Sequence, residues 1–99
     1  MHYNLKLMYV VYILFSEKTG RYYVGHTKDL DRRIAEHNRI KEKFTDTGIP
    51  WKLVYTESYI SKTEAYTRER YLKSRKSKDF LKQLILDSDD TTASGESLR

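Results

Sequence analysis

The sequence predicts an α/β domain: a small three-stranded sheet, mixed or antiparallel, flanked by helices in the order ββαβαα. Three observations carry that expectation. The run from Tyr9 to Phe15 is apolar and rich in Val, Ile and Tyr, which at that length fits a buried strand better than a helix. A Ser-Glu-Lys-Thr-Gly cluster at 16–20 then turns the chain into a second short strand, Arg21 to Gly25. Downstream, Leu30, Arg33, Ile34 and His37, and later Phe80, Leu81, Leu84 and Ile85, repeat at helical spacing.

Residues 1–7 are short and mixed, and either extend the first strand or remain loose. Side chains in a hairpin alternate with period two, so Tyr12 and Tyr23 share a face when the loop between the strands is even and oppose each other when it is odd. We expect the even case. Gly25 ends the second strand, where a missing Cβ lets backbone or ligand approach closely. The first helix is expected from about Leu30 to about Lys41, capped by Asp29 or Thr27, with Asp29 and Asp31 suiting its dipole. A polar loop from Lys43 to Pro50 leads to a third strand, Trp51 to Glu57, in which Leu53 and Tyr55 alternate imperfectly with Lys52 and Val54. Ser61-Lys-Thr-Glu64 is a capping box that starts a second helix running through Leu72. A break at Ser74 to Ser77 precedes the final helix, and the polar tail 87–99, lacking an apolar face, is expected to be disordered.

The chain's 99 residues are enough for one domain (1–86) with one modest core. Hydrophobic content is low at 38% and charged content high at 33%, but nine Tyr, three Phe and one Trp supply aromatic bulk to bury. The absence of cysteine excludes disulfides and Cys-based metal sites. No run approaches a membrane span and no signal-peptide pattern opens the chain, so a soluble cytoplasmic protein without a membrane partner is expected. The net charge of +5 understates the basic character: residues 1–86 hold 18 Lys and Arg against 10 Asp and Glu, a balance of +8 that favours a polyanionic partner.

At Val10-Val11-Tyr12 and Tyr23-Val24-Gly25 the sequence resembles the two signatures of the GIY-YIG endonucleases. Arg33, eight residues past the glycine, and His37, four further on, match that family's helix-borne arginine and its His-or-Tyr position. Glu64-Ala65 and Glu69 match its Glu-Ala pair and the following helical glutamate. The resemblance covers roughly Met8 to Leu86 and is closest to small stand-alone bacterial members and to the nuclease domain of the bacterial excision-repair incision protein.

The resemblance implies the GIY-YIG nuclease fold, metal-dependent nicking of DNA, and a setting in DNA repair. It casts Tyr12 as the group that orients or deprotonates the attacking water, with Tyr23 in support. Arg33 forks onto the scissile phosphate with His37 beside it, and Glu69 holds one Mg²⁺ or Mn²⁺. Without the resemblance, the tyrosines would read as packing, Arg33 as solvated surface, and Glu69 as paired with a neighbouring Arg or Lys. Mg²⁺ commonly takes one or two carboxylates and completes its shell with water and phosphate oxygens, so binding is expected to be weak without nucleic acid. Gly25, His26 and Arg32 are expected to touch substrate, as are Arg68, Arg70, Lys73, Arg75 and Lys76 in a basic run that extends to Lys78 and Lys82 and adjoins the glutamate.

The match departs from the family in several places. Val10 replaces the first signature's glycine, and Val11 and Val24 replace the middle isoleucine of each signature. His26 stands where some relatives have lysine, and Asn4 and Asn38 are the sole asparagines, so none follows the glutamate helix. A targeting protein partner is expected to supply target choice, and RNA is not excluded as substrate. The rival reading is a non-catalytic nucleic-acid-binding module on the same fold; a protein-interaction scaffold is a weaker third.

Overall fold

The computed structural model describes residues 8–75 and 77–95. Strands β1 (Tyr9–Ser16), β2 (Arg21–Thr27) and β3 (Trp51–Tyr59) form a sheet in the order β2-β1-β3, antiparallel throughout. Helices α1 (Leu30–His37), α2 (Lys62–Ser74) and α3 (Lys78–Gly95) flank it, and a 3₁₀ turn at Phe44–Gly48 occupies the loop before β3. The most apolar strand takes the centre, with Val10 to Leu14 all buried. On one face of the sheet Val11, Ile13 and Val24 pack against Ala65 and Leu72 of α2 and the apolar side of α3. On the other, Tyr12, Leu14 and Trp51 pack with Tyr23 and with Leu30 and Ile34 of α1.

The hairpin register pairs Tyr12 with Gly25 and Leu14 with Tyr23, which puts Tyr12 and Tyr23 on one face as the even loop requires. The imperfect alternation of β3 has a local cause. Ile13 pairs with Tyr55 but Leu14 with Leu53, leaving Val54 as a bulge, and the strand continues beyond Glu57 to Tyr59.

The first helix ends at His37 rather than near Lys41. Asn38 is diverted to the third strand: its Nδ2 donates to the Trp51 carbonyl at 3.1 Å, and the Trp51 N–H donates to its Oδ1 at 2.6 Å. This clamp satisfies the start of β3 and ties the end of α1 to the sheet. Of the two possible caps, Asp29 is the one that accepts from the Arg32 N–H.

Helix α2 straddles the sheet, with Ser61 capping it by accepting from the Glu64 N–H. Ala65 and Leu72 are buried, and the two charged residues between them reach opposite edge strands. Arg68 donates from Nε and Nη2 to the two oxygens of Glu57 on β3, both at 2.9 Å, while Glu69 turns to His26 on β2. The Tyr55 and Tyr59 hydroxyls also donate to Glu57. Burial works against the charged form of Glu57, yet its bonds from Arg68, Tyr55 and Tyr59 hold its pKa below the ordinary carboxylate value. That stabilisation is fully present above the ordinary pKa and is lost as pH falls through the depressed one. Glu57→Ala is expected to cost about 3 kcal/mol, because it strands a partly buried guanidinium, and to flatten the acid side of the stability profile. Urea unfolding across pH measures both.

Ser77 caps α3 by accepting from the Phe80 N–H at 3.1 Å. Helix α3 continues to Gly95, past residue 87 where the polar tail was expected to begin. A helix nucleated by packed residues adds each further backbone bond at little cost, and Gln83 pairs with Asp87 one turn on. Residues 1–7 and 96–99, with Lys76, lie outside the described residues. Among the described residues no helix is long and apolar enough to cross a membrane.

Candidate active site

Tyr12 is 1% exposed, and its ring runs from the central strand across Gly25 of the edge strand β2. A Cβ on Gly25 would lie 2.6 Å from the Tyr12 hydroxyl and 2.8 Å from Cζ, so glycine is what allows the phenol through. Gly25→Ala is expected to push the phenol aside and cost about 1–3 kcal/mol by overpacking, read as a lowered denaturation midpoint. The Tyr12 hydroxyl meets His37 Nε2 at 3.0 Å. Tyr23 stacks on the Tyr12 ring at 6.4 Å and meets the His37 ring edge-on at 4.4 Å, so it braces both.

Burial pushes the Tyr12 phenol up to about 12, against an opposing pull from Arg33. Burial, followed by the charges of Arg33 and Lys41, holds His37 below its ordinary value, which makes it a neutral acceptor for the Tyr12 hydroxyl at pH 7. Arg33 itself is half exposed at the head of this group, with Nη1 donating to Glu36 at 2.9 Å. Glu36 also draws Arg32 at 3.4 Å, so the two arginines share one carboxylate.

Glu69 approaches from the other face of the sheet and is 13% exposed. His26 Nδ1 donates to its Oε1 and Lys73 Nζ to its Oε2, each at 2.5 Å. Burial disfavours its charged form, but these two bonds outweigh burial and hold the pKa below the ordinary value. His26 follows Gly25, so the pair anchors Glu69 one residue along β2 from the glycine that the Tyr12 ring crosses. Among the described residues no group of three or more His, Asp or Glu is placed to hold a metal ion. A lone carboxylate fits a cation that keeps most of its shell as water and phosphate oxygens.

The basic run divides. Arg68 is committed through Nε and Nη2 to Glu57, because α2 carries it over β3. Lys73 is tied to Glu69 and belongs to the centre of the site. Arg70 leans on Tyr66, with Nη1 donating to its hydroxyl at 3.2 Å, and Arg75 lies over the Tyr71 and Phe80 rings. Both stay exposed, as does Arg32.

A family model described as the GIY-YIG catalytic domain matches residues 8–83, a span that contains every residue of this cluster. The chain belongs to the GIY-YIG family. This GIY-YIG chain is 43% identical over 60 residues to a UPF0213 protein of Streptococcus pneumoniae, covering 60% of this chain and 61% of that relative. It is 43% identical over 77 residues to a UPF0213 protein of Halobacterium salinarum, covering 75% of this chain and 99% of the other. The solution NMR structure of a UPF0213 protein from Bacillus halodurans matches with a TM-score of 0.50 and 32% identity, covering 79% of this chain and 82% of that one. The GIY-YIG family is of nuclease type. Three contributors to this GIY-YIG site escape sequence reasoning: Glu36 as partner of Arg33, His26 as anchor of Glu69, and Asn38 as the clamp that ends α1 at His37. The first was legible as an i,i+3 pair; the other two depend on contacts distant in sequence.

Proposed function

We propose that this protein is a metal-dependent DNA endonuclease that nicks one strand by hydrolysing a phosphodiester. The observation that carries the reading is the Tyr12 hydroxyl, bonded to His37 and crossing Gly25, with the Glu69 carboxylate anchored by the next residue of the same strand, His26. Tyr12 is too weak an acid to act as a free phenolate. It takes a proton from the attacking water only as it passes its own to His37 Nε2, so water loses one O–H bond and the imidazole gains one N–H. Arg33 can fork onto two phosphate oxygens and stabilise the charge that grows on them. Glu69 would hold the Mg²⁺ or Mn²⁺, which when bound supplies charge stabilisation at the leaving 3′ oxygen. Lys73 and His26 already fill the two Glu69 oxygens, which favours loading of the metal together with the substrate rather than before it.

Supercoiled plasmid incubated with the purified protein and Mg²⁺ or Mn²⁺ tests the reading. Conversion to open circle, suppressed by EDTA, is the expected result. Plasmid retained in a gel shift without conversion in either metal would replace the nuclease with the binding module.

A further inference from the structure

Beside the proposed catalytic group, a cavity of about 510 Å³ opens between the free edge of β2 and the junction of α2 and α3. Its lining is apolar, chiefly Tyr22, Leu72 and Leu81, and two cations, Lys73 and Lys78, border it. None of the described lining residues is acidic. One residue joins the cavity to the site: Lys73, bonded to Glu69. Lys78 reaches over the hairpin turn toward Gly20, while Arg21 lines the cavity at the strand and carries its guanidinium to the opposite face, 4.6 Å above the Phe44 ring.

We propose that this cavity binds one unpaired nucleotide flanking the phosphate to be cut, so that the preferred substrate is single-stranded or locally melted rather than plain duplex. The inference rests on the nuclease reading for its ligand class. A flat aromatic base suits the apolar floor with Tyr22 at its side, while its phosphates meet the cationic rim. A base held in an intact duplex cannot enter, because its faces are stacked and its edge is paired. The volume lies within the ~300–1,000 Å³ of small-molecule sites. An apolar peptide side chain would match the floor but bring no counter-charge to Lys78 at its border.

Fluorescence anisotropy in EDTA, where no cleavage occurs, compares a labelled oligothymidylate with a blunt duplex of the same length. The single strand is expected to bind about tenfold tighter or more. Leu81→Trp, which fills the cavity, and Tyr22→Leu, which removes the aromatic wall, should each erase that preference while leaving duplex binding within about twofold of wild type. Should Leu81→Trp fail to fold by circular dichroism, Tyr22→Leu and the wild-type comparison decide. Equal binding of the two forms, preference retained in a folded variant, or displacement of the oligonucleotide from the cavity by a glutamate-rich peptide would overturn the proposal. Single-strand preference in a protein that cuts nothing would keep the cavity assignment and reject the nuclease. Plasmid nicking by a protein without preference would do the reverse.

Discussion

Glu69→Ala is expected to slow nicking by about 10³-fold or more while DNA binding at low salt stays at least as tight as in the parent protein. The rate loss follows from removing the carboxylate that would hold the metal, whose charge stabilisation is worth several kcal/mol of barrier. Retained binding follows from the same deletion. It releases His26 and Lys73 from Glu69 and removes one negative charge from a basic surface, so affinity should fall more steeply with salt, by up to about one unit of slope. Plasmid conversion and a salt titration of DNA binding read the two effects separately. Glu69→Gln keeps the shape and should behave alike; wild-type nicking by either variant would remove Glu69 from the reaction.

Tyr12→Phe is the second large effect, with an expected loss of about 10²–10⁴ in rate. The phenylalanine ring can still cross Gly25 and stack on Tyr23, so the fold should change by only about 1 kcal/mol, the net worth of one hydrogen bond. The proton relay predicts a pH profile as well. His37 must be neutral to accept from Tyr12, and burial holds its pKa below the ordinary imidazole value. Activity should therefore be flat with respect to His37 through neutrality and fall only below about pH 6.5. The same shift makes protonation of the unfolded chain the easier one, so His37 removes stability as pH drops through that region. His37→Gln should abolish the acid limb along with most of the rate. An acid limb that persists in this variant would assign it to another group.

Much of the architecture was legible before any coordinates, because it depends on short periods. Alternation over Tyr9 to Phe15 and an even hairpin loop put Tyr12 and Tyr23 on one face, and helical spacing placed Arg33 and His37 one turn apart. Capping by Ser61 and a break before Ser77 followed from local hydrogen-bond chemistry. The family signatures pointed to Tyr12 and Glu69 together although 57 positions separate them in the 99-residue chain.

Periodicity could not say which charge would meet which. Arg68 and Glu69 are adjacent on α2, and the basic run gave no reason to treat Arg68 differently from Arg70. Only the path of α2 across β1 sends one side chain to Glu57 on β3 and the other to His26 on β2, turning Arg68 into a structural clasp and leaving Glu69 at the site. The end of α1 has the same origin, since Asn38 stops the helix by bonding to Trp51 far along the chain. Sequence by itself determined the elements, their order and the residue types offered for chemistry, because those are properties of neighbours along the chain. Tertiary structure decided the pairing of charges and set Tyr12 and Glu69 against neighbouring residues of β2, because a buried charge takes the partner that packing brings within reach.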